Sequence, residues 1–269
     1  MRIIRRARHS ALIALVVLIS AITVRAEDVY VMTSGGFTAP LLEVLPRFER
    51  ANGHKVTTIF GASMGNAADS IPVRLQRGEQ ADVLILAADA LEDLVKRGKV
   101  VAGSRVDLVS SRIGLAVRVG APKPDISSVQ ALVRVLLEAK SIAYSASASG
   151  TYLSTELFPR LGIADQLKTK SRRIESERVG AVVARGDAEI GFQQISELLS
   201  VPGIELVGPL PDGAQRVTIF SAGMTTGAAH PQAARALIAF LASSDVLPAI
   251  RKNGLEPARL AGTSQTNHW

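Results

Sequence analysis

The chain contains no cysteine, which excludes a disulfide framework and any thiolate-held metal. If the protein is exported, its fold then rests on its core alone. Histidine is scarce as well. The four residues His9, His54, His230 and His268 include no His-x-x-x-His pair, so no zinc site is expected, and neither is any other metal or cofactor. No period of 20–50 residues repeats, which argues against a solenoid. Beyond residue 26 no run of Lys/Arg interleaved with aromatics occurs, and a nucleic-acid partner has no support.

The N-terminus explains most of the high positive charge. Arg2, Arg5, Arg6 and Arg8 precede the apolar run Ala11–Ile19, and Val24-Arg25-Ala26 places small residues at the −3 and −1 positions of a cleavage site. This is the pattern of a secretory signal peptide spanning residues 1–26. The apolar run is interrupted by Ser20 and Thr23 and is shorter than the ~20 residues a spanning helix needs. Five of the 31 basic residues and none of the 24 acidic ones lie in this leader, so the remaining 243 residues carry 26 basic against 24 acidic groups. That length suits one large or two medium domains with real cores.

After the leader, strand-like and helix-like stretches alternate. Asp28–Ser34 reads as a buried strand, followed by Ser34-Gly35-Gly36 and a helix Pro40–Arg50 that Thr38 can cap. Lys55–Phe60 is a second strand, Gly61–Asn66 a second Ser/Gly turn and Ala67–Gln76 a second helix. Asp82–Ala87 is a third strand, with a helix Ala90–Arg97 capped by Asp89. Such alternation predicts a parallel sheet with crossover helices.

Val106–Ser110 and Ile113–Val119 lead to the corner Pro122-Lys123-Pro124, where a second series begins. Its members are helix Val129–Ala139 capped by Ser127, strand Ser141–Ser145, the turn Ser145–Gly150 and helix Thr151–Leu161. A charged connection Arg172–Arg178 precedes helix Val179–Arg185 and strand Ala188–Gln193. Strands Ile204–Val207 and Arg216–Ser221 and helices His230–Ala242 and Asp245–Lys252 complete the series. Gly254–Pro257 and a polar tail Ala261–Trp269 read as fraying. The pattern predicts an α/β protein of two lobes with a cleft between them.

Gly61-Ala62-Ser63-Met64-Gly65-Asn66 is the stretch with the sharpest chemical alternatives. Small residues at a strand-to-helix turn expose backbone N–H groups that attract anions, while Gly61-x-Ser63-x-Gly65 also fits the nucleophile elbow of serine hydrolases. A hydrolase needs an acid and then a histidine after Ser63 in chain order. Only His230, before Pro231 at a helix start, and His268, in the tail, follow it. The sister turns Ser34–Gly36 and Ser145–Gly150 favour an anion cradle built from three strand ends. Arg74, Arg112, Arg172, Arg173 and Arg178 are candidate counter-charges, with Arg178 ranked first for its place at a helix start.

These residues carry a resemblance. The leader, Ser34-Gly35-Gly36, the Phe60–Gly65 turn, Gly78-Glu79-Gln80-Ala81-Asp82-Val83-Leu84-Ile85, Ser145–Tyr152, and Gly186–Gly191 with Gln193-Gln194 resemble the periplasmic molybdate-binding proteins of ABC transporters over nearly the whole chain after the leader. The resemblance implies a type II periplasmic-binding-protein fold of two mixed sheets flanked by helices. One lobe would be formed by 27–111 with 219–269 and the other by 112–218. The implied partners are a small anionic ligand and an ABC permease, which would be the protein's link to the membrane. A periplasmic monomer is implied.

The implied ligand positions are Ser34, Gly35, Gly36, Ser63, Met64, Ser149, Gly150, Thr151, Tyr152, Arg178, Gln193 and Gln194. Two departures from the family pattern stand out. Gly35-Gly36-Phe37 replaces a serine followed by a bulky apolar residue, and Gln194 stands where a tyrosine is common. Paired amides with nearby arginines suit an organic carboxylate better than molybdate. A branch of the same superfamily, which this chain also resembles, is that of the periplasmic aconitate isomerases. That chemistry needs a base for a carbon-bound proton, and Glu177, Tyr152 or a serine could serve.

Overall fold

The computed structural model describes residues 27–258, so the expected signal peptide and polar tail lie outside the described residues. Eleven strands form two mixed sheets among the described residues. The first holds β1 (Asp28–Thr33), β2 (Lys55–Phe60), β3 (Val83–Ala87), β4 (Val106–Ser111), β10 (Thr218–Met224) and β11 (Glu256–Pro257), in the order β11-β4-β10-β3-β1-β2. The second holds β5 (Ile113–Arg118), β6 (Ile142–Ser145), β7 (Ser171–Ile174), β8 (Ile190–Gln194) and β9 (Ile204–Pro209), in the order β7-β6-β8-β5-β9. The chain passes between the sheets from Ser111 to Ile113 and back from Pro209 to Thr218.

Strand periodicity divides each core into two layers. Along β3, Val83, Ile85 and Ala87 face one cluster with Val29, Val31, Phe37 and Phe220. Leu84 and Leu86 face the other, with Met32 and Leu91. Both faces are covered by helices, which is why this strand reads as an uninterrupted apolar run. In the second sheet Ile142, Ile190 and Phe192 face one cluster, and Ala143 faces another with Val179 and Val183.

The helices are α1 (Gly35–Asn52), α2 (Ile71–Gln76), α3 (Ala88–Lys96), α4 (Val129–Glu138), α5 (Ala148–Tyr152), α6 (Phe158–Arg160), α7 (Ala164–Leu167), α8 (Val179–Arg185), α9 (Ile195–Leu198), α10 (Pro231–Leu241) and α11 (Leu247–Lys252). Several differ from expectation. The first begins at Gly35, not Pro40, because burying Phe37 pulls the preceding glycines into the helix. Thr38 lies inside its first turn, where its hydroxyl donates to the Ser34 carbonyl at 3.2 Å.

The second helix starts only at Ile71, after an irregular segment, and Asp89 sits within α3 instead of capping it. Ser128, not Ser127, caps α4, accepting from the Ala131 N–H at 3.1 Å. The expected helix Thr151–Leu161 is α5, a π-turn Leu153–Leu157 and α6 in succession.

Two stretches read as irregular are strands. Ser171–Ile174, overlapping the start of the charged connection Arg172–Arg178, pairs with β6 as an edge strand, where charged side chains are tolerated because one side faces water. Glu256–Pro257, read as fraying, pairs with β4 through Ser110 and Val109. The short helix α9 was not anticipated, since four residues carry no readable period.

Candidate functional site

The cleft between the sheets is a cavity of 380 Å³. Three Ser/Gly turns meet at it: Ser34–Gly36 at the end of β1, Gly61–Ala62 at the end of β2, and Ser145–Ser149 at the end of β6. The start of α8 adds Glu177 and Arg178, the end of β8 adds Gln193 and Gln194, and α9 adds Glu197. Ligand sites at the carboxyl ends of strands are the rule for such sheets.

At the first turn the N–H groups of Gly35 and Gly36 open an 18-residue helix and have no intrahelical partner. Ser34 is 2% exposed and its hydroxyl has no hydrogen-bond partner. A buried hydroxyl without a partner is costly, and a carboxylate seated on the start of α1 would complete it. Across the cleft the Gln194 amide donates through Nε2 to Thr218 Oγ1 at 2.9 Å, and its Oε1 is likewise buried without a partner. Thr218 can also donate to this amide, so either end of Gln194 can face a ligand. Ser145 and Ser149 share a hydrogen bond of 3.0 Å.

The charges at the cleft differ in kind. Arg178 donates through Nη1 to Ser200 Oγ at 2.6 Å. Glu177 is gripped by Arg185 through two hydrogen bonds of 2.9 and 3.1 Å, which hold its carboxyl below the usual range. Glu197 behaves oppositely. Burial pushes its carboxyl up to about 7, with Arg178 and a hydrogen bond from Gln193 opposing the rise. That hydrogen bond, Gln193 Nε2 to Glu197 Oε1, measures 2.9 Å, and the other end of Gln193 accepts from the Val179 N–H at 3.0 Å.

Residues 29–256 match the family model described as bacterial extracellular solute-binding protein. The chain belongs to this family. Among its relatives, an aconitate isomerase from Pseudomonas sp is 50% identical over 227 residues, covering 84% of this chain and 87% of that protein. The molybdate-binding protein ModA from Azotobacter vinelandii is 28% identical over 246 residues, covering 87% and 92% of the two chains. A solved Azotobacter vinelandii periplasmic molybdate-binding protein superposes with a TM-score of 0.67 at 22% identity, over 84% of this chain and 98% of its own. The last likeness shows the shared two-lobed fold.

Within this solute-binding fold, seven of the twelve residues expected at the ligand line the cleft: Ser34, Gly35, Gly36, Ser149, Arg178, Gln193 and Gln194. Ser63 and Met64 line a separate cavity of 360 Å³ with Asn66, Gln76, Asp93 and Arg97. Gly150 and Thr151 lie behind the Ser145–Ser149 turn, outside the cleft lining. Tyr152 is buried in the second lobe, where its hydroxyl donates to the Ala214 carbonyl at 3.0 Å and accepts from Arg160 at 3.1 Å.

Three of the other candidate arginines are engaged elsewhere, Arg74 with Glu79 at 2.7 Å, Arg112 with Asp212 at 2.7 Å and Arg173 with Glu175 at 3.3 Å, and Arg172 is exposed on β7, outside the cleft lining. Sequence reasoning missed Glu197. The available signal was its place three residues after the paired glutamines, one turn past a strand end.

Proposed function

We propose that the cleft binds aconitate and interconverts its trans and cis forms by carrying one proton between two carbons. The observation behind this reading is Glu197: a carboxyl in the ligand cleft, lifted by burial to about 7, is matched to general acid–base work near neutral pH. The 50% identical relative named as an aconitate isomerase supports the same chemistry.

In this mechanism the Glu197 carboxylate takes a proton from the substrate's methylene carbon. The freed electron pair forms a new double bond to the central carbon, and the old double bond opens toward the far carbon, its charge spreading onto the adjoining carboxylate. Returning the proton to the far carbon completes the shift. One C–H bond breaks and one forms, the double bond moves by one position, and the geometry of the new bond follows the conformer held in the cleft. Donors at the start of α1, the Ser34 hydroxyl and Arg178 are available to stabilise the charge as it develops.

A second reading, a binding protein that delivers a small anion to a permease, is favoured by the ModA relative and by the three-turn cradle. Purified protein incubated with trans-aconitate in deuterated water and followed by NMR separates them. Appearance of the cis isomer supports the isomerase, whether the transferred position carries the original proton or solvent deuterium. Saturable binding without turnover or exchange overturns it in favour of the binding protein. Export and removal of residues 1–26 belong to both readings, and N-terminal sequencing of the exported protein tests them.

A further inference from the structure

We infer that Ser196 and Gly35 are positioning residues that seat the Glu197 carboxyl against the first turn of α1. The inference rests on the isomerase reading for its functional meaning and on contacts between the two lobes for its geometry.

The seat begins with a proline. In an α-helix the carbonyl of Gly36 would accept from the N–H of residue 40, but residue 40 is proline and has no N–H. The Gly36 carbonyl is left without its intrahelical donor. The Ser196 hydroxyl, 160 positions later and 1% exposed, supplies one at 2.8 Å. This buried hydrogen bond ties α9 of the second lobe to α1 of the first, and Glu197 is the next residue along α9.

Glycine then makes the room. A Cβ at Gly35 would lie 1.9 Å from Glu197 Oε1 and 2.7 Å from its carboxyl carbon, so the acid occupies the space that any side chain at position 35 would take. Gln193 holds the same Oε1 from the side at 2.9 Å. The charged group facing the carboxyl is Arg178 at the start of α8; the first turn of α1 carries no acidic residue, and β8 contributes only the amides of Gln193 and Gln194. A carboxyl held by two lobes at once is fixed relative to a ligand that also touches both, and such fixation is what proton transfer from carbon requires.

The test uses Ser196→Ala, Ser196→Thr, Gly35→Ala and Pro40→Ala in the full exported protein, with Glu197→Gln as reference. Two quantities are read. One is kcat against KM for trans-aconitate across pH. The other is the Glu197 titration, followed as the infrared carboxyl band absent from Glu197→Gln, which does not depend on turnover.

Ser196→Ala and Gly35→Ala are expected to lower kcat about tenfold or more, with KM within about threefold, and to move the titration away from 7. Ser196→Thr is expected to restore both. Pro40→Ala returns a competing N–H to the Gly36 carbonyl without removing any hydroxyl, and is expected to move both quantities the same way. It decides the matter should Ser196→Ala fail to fold.

Wild-type kcat and an unmoved titration in Ser196→Ala, or in Pro40→Ala where it stands in, overturn the positioning role. A wild-type protein without turnover, whose Glu197 titration nevertheless shifts in the variants, overturns the isomerase reading and leaves the seat intact.

Discussion

The hydroxyl of Ser63 accepts a hydrogen bond from the backbone N–H of Ala87 at 3.0 Å, in a buried setting at the end of β3. The Ser63 N–H in turn donates to Ser147 Oγ of the other lobe at 3.3 Å. Ser63 is thus a junction between the two lobes, 1% exposed. Ser63→Ala leaves the Ala87 N–H without its partner and should cost about 1–2 kcal/mol of stability in denaturant titrations. Ligand affinity measured on the folded variant should change by less than about threefold, since the lost energy belongs to the fold.

Glu197 makes stability depend on pH in an uncommon direction. Its folded value near 7 lies above the ordinary 4.5, so the folded state binds the proton more tightly than the unfolded chain. The associated stability is fully present below about 4.5 and is lost as pH rises through about 7, up to about 3–4 kcal/mol at about 1.4 kcal/mol per unit. Carboxyls held low by cations, such as Glu177 beside Arg185, act in the opposite sense and below that window. Chemical denaturation at several pH values should show the decline in the wild type and a flat line in Glu197→Gln.

The same substitution should separate chemistry from binding. Glu197→Gln keeps the volume and a polar contact to Gln193 but cannot take a proton from carbon, so turnover of trans-aconitate should fall by at least about a hundredfold. Binding by calorimetry should persist. Glu177→Gln is the control. Because Arg185 already engages Glu177 with two hydrogen bonds, its turnover should stay within about twofold of the wild type.

Arg178 brings a guanidinium to the cleft lining, where its Nη1 is engaged by Ser200. Arg178→Met should weaken carboxylate binding by about tenfold or more through loss of a charge-assisted contact. A thermal-shift panel of molybdate, sulfate, tricarballylate and the aconitates should give the largest shifts with the tricarboxylates, since ligands stabilise the state they bind. A shift with molybdate alone would contradict the carboxylate reading.

Gly150 tests the third turn. A Cβ there would meet the Ser145 carbonyl oxygen at 1.7 Å, which is backbone and cannot swing aside. Gly150→Ala should therefore cost about 2–3 kcal/mol or more. The loss should register as a lowered thermal midpoint even without ligand.

Much of the architecture was legible along the chain because it rests on local chemistry. The unbroken apolar run of β3, buried at every position, Gly53 closing α1 with φ 71°, and Ser/Gly turns at strand ends are properties of neighbouring residues. They foretold an α/β protein of two lobes and seven residues that line the cleft between them. Short or edge elements escaped because their identity depends on a partner: Ser171–Ile174 is a strand only beside β6, and Glu256–Pro257 only beside β4.

Tertiary structure alone decided which polar groups face the cleft. Ser63 and Tyr152 carry suitable chemistry but point to Ala87 and Ala214, and nothing within their own segments says so. Glu197 has no distinguishing neighbour within its own segment. It sits against the first turn of α1 because the proline at position 40 frees the Gly36 carbonyl for Ser196, and because Gly35 leaves space for a carboxyl that burial raises to about 7. Desolvation is a property of everything packed around a group, and that surrounding is assembled here from residues 160 positions apart.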